Sequence, residues 1–158
     1  MKTFAQIVEK IAPHITEMLP WDVEDYLKAH PDTLIVDILE THEYDTMHIK
    51  DSLNVPRGIL ENACEWDFEE TEPELVEARH RPIVLVCRSG NRTVLAAHTL
   101  QEMGYEQVIS LKTGLRGWND YEQPLQDEAG RSVDLDDADE YFTARLLPEQ
   151  MKPKDWVD

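Results

Sequence analysis

The sequence has little positive charge, few cysteines and no long apolar segment. Its 158 residues include 15 lysines and arginines against 33 aspartates and glutamates, which gives a formal net charge of −18. A surface of that sign repels nucleic acid and anionic membranes, so we expect neither as a partner. The 2 cysteines are too few for a disulfide framework. Glu9 and Lys10 interrupt the first apolar residues, so we expect no signal peptide and a cytoplasmic location.

One short segment organises the rest of the chain. The apolar run Ile83–Val86 leads directly into Cys87 and predicts a fully buried strand. A polar loop with one glycine covers 88–92, and residues 93–103 have helical spacing and end before Gly104, a typical helix C-cap. Cys87 is therefore predicted at the carboxyl end of a strand, where open α/β sheets bind their ligands.

The loop after Cys87 has the composition of an anion site. We expect backbone N–H groups of residues 88–93 to surround the sulfur, and N–H groups that open a helix bind anions. The helix dipole, Arg88 and Arg92 add positive charge, which favours the thiolate over the thiol. The alternative is a buried structural cysteine, the interpretation that we give to Cys64. Cys87 is the predicted nucleophile, and the loop is completed by Ser89, Gly90, Asn91 and Thr93.

The segment from Cys87 to Arg92 resembles the active-site loop of the rhodanese (thiosulfate sulfurtransferase) family. In that family a strand ends in a cysteine, which is followed by about four loop residues and a helix. The Cdc25-like phosphatases and arsenate reductases share this architecture, but their loop is one residue longer and places an arginine six positions after the cysteine. Here that position is Thr93. The shorter loop favours a sulfur atom over a tetrahedral phosphate or arsenate.

Residues 33–37 predict a second buried strand, which ends in a carboxylate. The segment resembles the rhodanese strand whose terminal aspartate braces the active-site loop through hydrogen bonds, which implies that role for Asp37. Leu39 stands where the family often has an arginine, so an ion pair made by that arginine is absent or replaced. Arg57, directly after a later strand end, is a further candidate for facing the site.

Two more segments resemble rhodanese motifs in the expected order. Residues 48–56 are similar to the Gly-His-Ile motif and the short strand after it, with Met47 in place of the glycine. The two histidines near this motif lack the spacing of a metal site on one helical face, so we predict no metal. Residues 112–119 are similar to the last signature, a Gly-Gly turn followed by a helix with tryptophan. Thr113 replaces one glycine there, and Arg116 is expected to border the pocket.

The remaining segments are interpreted as extensions and an insertion. Residues 3–19 place apolar side chains on one helical face with a break near Pro13. Residues 57–82 predict an acidic helical insertion, and the C-terminal part has an acidic run followed by a short helix over 141–147. The predicted division is an N-terminal helical extension 1–16, a rhodanese-like domain 17–125 and an acidic C-terminal extension 126–158.

The sequence thus predicts an α/β domain of three layers, with a central, mostly parallel five-stranded sheet and helices on both faces. The resemblance implies a sulfurtransferase that needs no cofactor. The Cys87 thiolate takes sulfane sulfur from thiosulfate or a related persulfide donor and passes it to a nucleophile, such as cyanide, a thiol or a sulfur-carrier protein. Two other classes remain open. One is a sulfur-relay or binding module for a protein partner, and the other is a phosphatase or arsenate reductase.

Overall fold

Five parallel strands form the centre of the computed structural model, which describes residues 1–157. The strands are β1 (Thr16–Met18), β2 (Leu34–Asp37), β3 (Leu53–Asn54), β4 (Ile83–Val86) and β5 (Val108–Leu111). Their order across the sheet is β1-β5-β4-β2-β3, and every neighbouring pair is parallel. The predicted five-stranded sheet is confirmed.

Eight α-helices surround this sheet within the described residues. They are α1 (Phe4–Ile11), α2 (Pro20–Ala29), α3 (Thr41–Thr46), α4 (Leu60–Ala63), α5 (Pro73–Val76), α6 (Arg92–Glu102), α7 (Gly114–Asp120) and α8 (Leu135–Phe142). Local signals in the sequence set several of their first residues. Thr3, directly before α1, and Gln6, in its first turn, form a capping box. Pro20 is the first residue of α2. The Asp134 side chain accepts two backbone N–H groups at the start of α8.

The path of the chain places helices on both faces of the sheet. The chain crosses the sheet in one direction from β1 to β3 and in the other direction from β3 to β5. Because crossovers between parallel strands are right-handed, α2 and α3 cover one face and α4 to α6 cover the other. The packing agrees, since α6 lies on β4 and β5 and contacts α1 and α4, while α7 contacts both α2 and α8. The predicted three-layer arrangement is confirmed.

The reversal of direction creates a crevice between the two central strands. The helix after β2 lies on one face and the helix after β4 on the other, so the carboxyl ends of these strands are left open to a ligand. Each residue of Ile83–Val86 is at most 1% exposed, which fixes β4 in the core. Asp37 pairs in register with Val86. The crevice therefore receives Cys87, as predicted, and Asp37 lies on the neighbouring strand.

The N-terminal segment differs from its prediction after the expected break. Helix α1 ends at Ile11 and a 3-10 turn covers Ala12–His14, so the break near Pro13 is confirmed. The continued helix is wrong, because Thr16–Met18 pairs with β5 as the edge strand β1. Three residues are too few to show a strand periodicity, and only the partner strand reveals them. The boundary predicted between residues 16 and 17 lies inside this strand.

The C-terminal extension also forms its helix at another place. Helix α8 covers the acidic run, and the helix predicted over 141–147 is wrong because α8 ends at Phe142. Ala138 and Phe142 are 1% and 3% exposed, and α8 packs against α7. Its apolar side chains therefore join the core, while its carboxylates face solvent. None of the helices in residues 1–157 is long and apolar enough to cross a membrane.

Candidate active site

Cys87 lies directly after β4, and its side chain is 1% exposed. The Gly90 N–H donates a hydrogen bond to the Cys87 sulfur at 3.2 Å, and the Thr93 hydroxyl lies 3.5 Å from the same atom. The Ser110 hydroxyl on β5 donates to the Thr93 hydroxyl oxygen at 2.7 Å. This arrangement leaves the Thr93 proton available to the sulfur. Two donors thus reach the sulfur from the loop and from the first turn of α6.

Two backbone N–H groups at the start of α7 hold the cysteine loop, because they donate hydrogen bonds to carbonyl groups of the loop. The Leu115 N–H donates to the Cys87 carbonyl at 2.9 Å, and the Arg116 N–H donates to the Arg88 carbonyl at 3.0 Å. In a trans peptide the N–H points opposite to the C=O, so these bonds turn the next two amides away from α7. Further loop amides have no hydrogen-bond acceptor within residues 1–157, namely those of Arg88, Ser89, Asn91, Arg92 and Thr93. The loop therefore presents a group of donors suited to an anion.

Two glycines allow this close fit between the cysteine loop and the turn before α7. Gly114 has φ +60, and a Cβ at this position would lie 2.5 Å from the Cys87 carbonyl oxygen. Gly90 has φ +86, and its Cβ would lie 2.8 Å from the Thr113 nitrogen. Thr113 replaces a glycine of the family motif and still has φ +71. That conformation is strained for a β-branched residue, so the turn has a left-handed backbone at this position although the residue is not glycine.

Arg92 is held by an acidic partner that the sequence did not predict. Its guanidinium donates to both carboxylate oxygens of Glu43 on α3, each at 3.0 Å. The Glu43 and Arg92 side chains are only 15% and 33% exposed. The pair connects the start of α6 to the helix across the crevice, and Glu43 balances the charge of Arg92. Arg92 is therefore near Cys87, as expected, but it is not a free cation for a donor anion.

Arg88 and Arg116 face the C-terminal extension instead of the centre of the loop. The Arg88 guanidinium donates to the Tyr141 carbonyl at 3.2 Å and lies 5.8 Å from the centre of the Tyr141 ring. Together with Ser89, Arg88 and Arg116 line a cavity of about 390 Å³ whose other wall includes Arg145. Arg116, expected to border the active-site pocket, thus lines a cavity beside the cysteine loop. The contribution of the extension was not predicted, because its sequence resembles no catalytic motif.

Asp37 does not make the loop hydrogen bonds that the resemblance implies, and that predicted role is wrong for the described residues. Its Oδ1 accepts the Leu39 N–H at 2.9 Å, and its Oδ2 has no hydrogen-bond partner within residues 1–157. Burial raises the pKa of Asp37 to about 7; the Leu39 N–H and Arg92 oppose this shift, whereas Glu43 adds to it. One oxygen is used by the Leu39 N–H, and the buried leucine side chain at position 39 supplies no cation to the carboxylate.

Arg57 is not brought to the loop either. Its guanidinium pairs with Glu61 and donates to the Thr99 hydroxyl at 3.3 Å. Thr99 lies about two turns along α6 from Arg92. The backbone N–H of Arg57 does bond to the Ile38 carbonyl, next to Asp37, but its side chain leaves the crevice. Arg57 therefore connects the acidic insertion to α6.

The other sequence candidates have structural partners. Cys64 is fully buried, and burial raises the pKa of its thiol, with a smaller opposing effect of the Tyr105 hydroxyl. The His48 Nδ1 lies 2.7 Å from the Tyr44 carbonyl oxygen, and its ring stacks on the Tyr44 ring. Asn91 is exposed and makes no capping bond to α6. Residues 1–157 contain no group of three or more His, Cys, Asp or Glu side chains placed to hold a metal.

Ser110 and Glu43 are site residues that the sequence interpretation missed. Ser110 is the one polar residue of β5 and is fully buried, so its position in an apolar strand was a usable signal. Glu43 gave no such signal, because it lies 49 residues from Arg92 in the sequence and only the fold brings the two together.

The fold and the cysteine loop define an α/β domain with a cysteine at the end of a buried parallel strand, and the comparison with known families assigns its family. The rhodanese-like domain family matches residues 22–121. The chain therefore belongs to the rhodanese-like family, which contains sulfurtransferases and sulfur carriers.

Individual relatives match more than half of the chain. The chain is 31% identical over 84 residues to the Putative sulfur carrier protein YrkF of Bacillus subtilis, an alignment that covers 53% of this chain and 40% of YrkF. It is 28% identical over 131 residues to the adenylyltransferase and sulfurtransferase uba4 of Aspergillus terreus, covering 73% of this chain and 27% of uba4. The chain thus spans less than half the length of both relatives.

One solved structure is similar over most of the chain. It is a protein of unknown function, a possible tyrosine phosphatase, from Rhodopseudomonas palustris CGA009. The TM-score is 0.70 at 26% sequence identity, and the match covers 80% of this chain and 96% of that protein. It supports the α/β fold.

Proposed function

We propose that this protein is a sulfurtransferase in which Cys87 carries the transferred sulfur as a persulfide. The observation that carries the proposal is the environment of the Cys87 sulfur. The sulfur is buried, receives the Gly90 N–H at 3.2 Å, and lies in a loop with five amides that have no acceptor within residues 1–157. A buried anion is stable only with such donors, and a persulfide anion extends from the sulfur toward them.

The reaction is a pair of nucleophilic substitutions at sulfur. The Cys87 thiolate attacks the sulfane sulfur of thiosulfate, a bond forms between the two sulfurs, and sulfite leaves with the electron pair of the broken S–S bond. A nucleophilic acceptor then attacks the outer sulfur of the persulfide, and Cys87 leaves as the thiolate. Cyanide gives thiocyanate in this step, and a thiol gives a new persulfide. Atoms and electrons balance without a cofactor.

A relay function is the second candidate. YrkF is a putative sulfur carrier protein, and uba4 is an adenylyltransferase and sulfurtransferase. The presence of a sulfur carrier among the relatives supports a protein acceptor or donor for this chain. A relay predicts rapid persulfide exchange with a carrier protein and slow turnover with thiosulfate and cyanide. A small-molecule sulfurtransferase predicts efficient turnover with both.

The phosphatase alternative is disfavoured by the partner of Arg92. A phosphate in a cysteine loop needs a guanidinium directed at its oxygens, whereas both nitrogens of the Arg92 fork bind Glu43. The sixth position after Cys87 is Thr93, whose hydroxyl lies beside the sulfur. Hydrolysis of an aryl phosphate by the protein, lost in Cys87→Ser, would contradict the sulfurtransferase proposal.

Intact mass after incubation with thiosulfate tests the central step. The wild-type protein should gain the mass of one sulfur atom, and cyanide should remove it with formation of thiocyanate. Cys87→Ser should gain no sulfur. Cys64→Ser is the matched control and should gain sulfur as the wild type does, because the Cys64 thiol is fully buried and burial raises its pKa. A persulfide on Cys64, or thiocyanate formation by Cys87→Ser, would overturn the proposal.

A further inference from the structure

The cavity beside the cysteine loop is built partly by residues outside the family match. One wall consists of Arg88, Ser89 and Arg116, and the other comes from the segment after α8, with Arg145 and Gln150. The family match ends at residue 121. The second wall therefore lies outside the residues that the family match covers. Its volume is about 390 Å³.

The charge of this cavity is opposite to that of the protein. Its lining includes three arginines and no acidic residue, although the chain carries a net charge of −18. An adjoining cavity of about 530 Å³ shares Arg88 and Arg145 but also contains Asp137 and Glu140. Glu140 accepts a hydrogen bond from Arg145 at 2.7 Å, and both side chains are exposed. Positive charge is thus greatest at the end nearest to the cysteine loop.

The size and the lining of the cavity indicate an organic anion. Sites for small organic ligands have volumes of roughly 300–1,000 Å³, which is far more than an inorganic sulfur anion fills. Phe142, Ala144 and Leu146 supply apolar contacts, and thiosulfate offers no apolar surface to them. The planar fork of arginine matches a carboxylate through two parallel hydrogen bonds. The complementary ligand has an apolar or peptide-like frame with at least one carboxylate.

We propose that this cavity binds a low-molecular-weight persulfide that carries carboxylates, as the donor of the sulfur transferred to Cys87. This inference rests on the proposed function and names its substrate class. The Cys87 thiolate attacks the outer sulfur of R–S–SH, the new bond joins Cys87 to that sulfur, and the old S–S bond breaks. The leaving R–S⁻ takes the persulfide proton, so the products are the Cys87 persulfide anion and the thiol R–SH.

The experiment compares three donors by the rate at which the protein gains one sulfur at Cys87, followed by intact mass. Glutathione persulfide has two carboxylates, cysteamine persulfide has the same reacting group without a carboxylate, and thiosulfate is the inorganic anion. The wild type should prefer glutathione persulfide over cysteamine persulfide in kcat/KM. In Arg145→Gln this preference should fall about three- to tenfold, since the substitution removes one charge-assisted contact.

Two further variants make the comparison specific. Arg131→Gln is the matched control, because Arg131 pairs with Asp127 in the same extension and does not line the cavity. It should keep the wild-type preference. Glu140→Gln removes the acidic partner of Arg145 and should raise kcat/KM for glutathione persulfide several-fold.

The outcomes separate this inference from the proposed function. If Cys87 gains sulfur from all three donors but Arg145→Gln and Arg131→Gln show the same preference as the wild type, the cavity is not the donor site. If the wild type does not distinguish glutathione persulfide from cysteamine persulfide, the carboxylate proposal is likewise refuted. If Cys87 gains sulfur from no donor, the proposed function itself fails.

Discussion

Asp37 combines full burial with a carboxylate oxygen that has no hydrogen-bond partner within residues 1–157. Burial raises the pKa of Asp37 from 3.8 to about 7, with smaller effects of the Leu39 N–H, Glu43 and Arg92. We therefore predict that Asp37→Asn changes the stability of the fold in a pH-dependent way. Asparagine keeps the shape of the side chain but cannot ionise, so the substitution should be more favourable at pH 8 than at pH 5.

The direction follows from proton binding. Between pH 3.8 and about 7 the folded protein holds a proton at Asp37 that the unfolded chain has released. Stability therefore falls as the pH rises through this range and is constant above it. One pKa unit corresponds to about 1.4 kcal/mol, so the penalty is at most about 4 kcal/mol at pH 8 and about 2 kcal/mol at pH 5.

The substitution has a cost of its own, which does not depend on pH. The Asn side chain places an amide donor where the Asp37 oxygen has no partner, and an unpaired buried donor costs about 1–3 kcal/mol. Because this cost is the same at both pH values, it cancels in their difference. The change in unfolding free energy caused by Asp37→Asn should therefore shift by about 2–3 kcal/mol toward stabilisation from pH 5 to pH 8.

Urea unfolding at the two pH values measures this shift, with tryptophan fluorescence as the signal because Trp118 is buried. Asp127→Asn is the control. The backbone N–H of Arg131 lowers the pKa of Asp127, so its ionised form stabilises the fold at both pH values. That variant should be less stable than the wild type, with no difference between pH 5 and pH 8. An equal effect of Asp37→Asn at both pH values would refute the reasoning.

Three other substitutions and one control test the contacts around the cysteine loop. Gly114→Ala should lower the free energy of unfolding by more than about 2 kcal/mol and prevent sulfur loading of Cys87. Gly104→Ala is the control, because Gly104 has φ +90 but open space around it. It should lower the free energy of urea unfolding by only about 1 kcal/mol and leave sulfur loading normal. Thr113→Gly should raise the unfolding free energy by about 1 kcal/mol, since it relieves a left-handed β-branched residue. Glu43→Gln should increase kcat/KM for thiosulfate several-fold, because it frees Arg92 from its ion pair. High salt should reduce this gain. Unchanged kinetics would contradict the charge balance inferred for the Arg92–Glu43 pair.

The sequence was sufficient for the parts of the fold that depend on local pattern. The apolar run before Cys87 predicted β4, the helical spacing after the loop predicted α6, and Gly104 has the left-handed φ expected of a helix C-cap. The mostly parallel five-stranded sheet then followed from the family resemblance, and the expected position of the site followed from the place of Cys87 at the carboxyl end of a strand. Each of these steps uses residues that are close in the sequence or a rule of chain topology.

The parts that could not be predicted depend on contacts between distant residues. Strand β1 exists because β5 offers it a parallel partner, and its own three residues carry no pattern. The Arg92–Glu43 pair spans the crevice, and Arg88 meets Tyr141 at a separation of 53 residues. The absence of a cation at Leu39 was visible in the sequence, but its result, a carboxylate oxygen without a partner, required the surrounding packing.

The two sides of the Cys87 site differ in their net charge. On the side of α3, Glu43 neutralises Arg92, and the Asp37 carboxyl holds a proton over a wide pH range. The net positive charge therefore comes from the side of α7 and the C-terminal extension, where Arg88, Arg116 and Arg145 line one cavity. In the proposed reaction the Gly90 N–H contacts the Cys87 sulfur directly, and the other loop amides receive the transferred sulfur. If the three arginines bind the rest of the donor, as we propose, a relative with the same loop and another C-terminal segment should perform the same transfer with different donors.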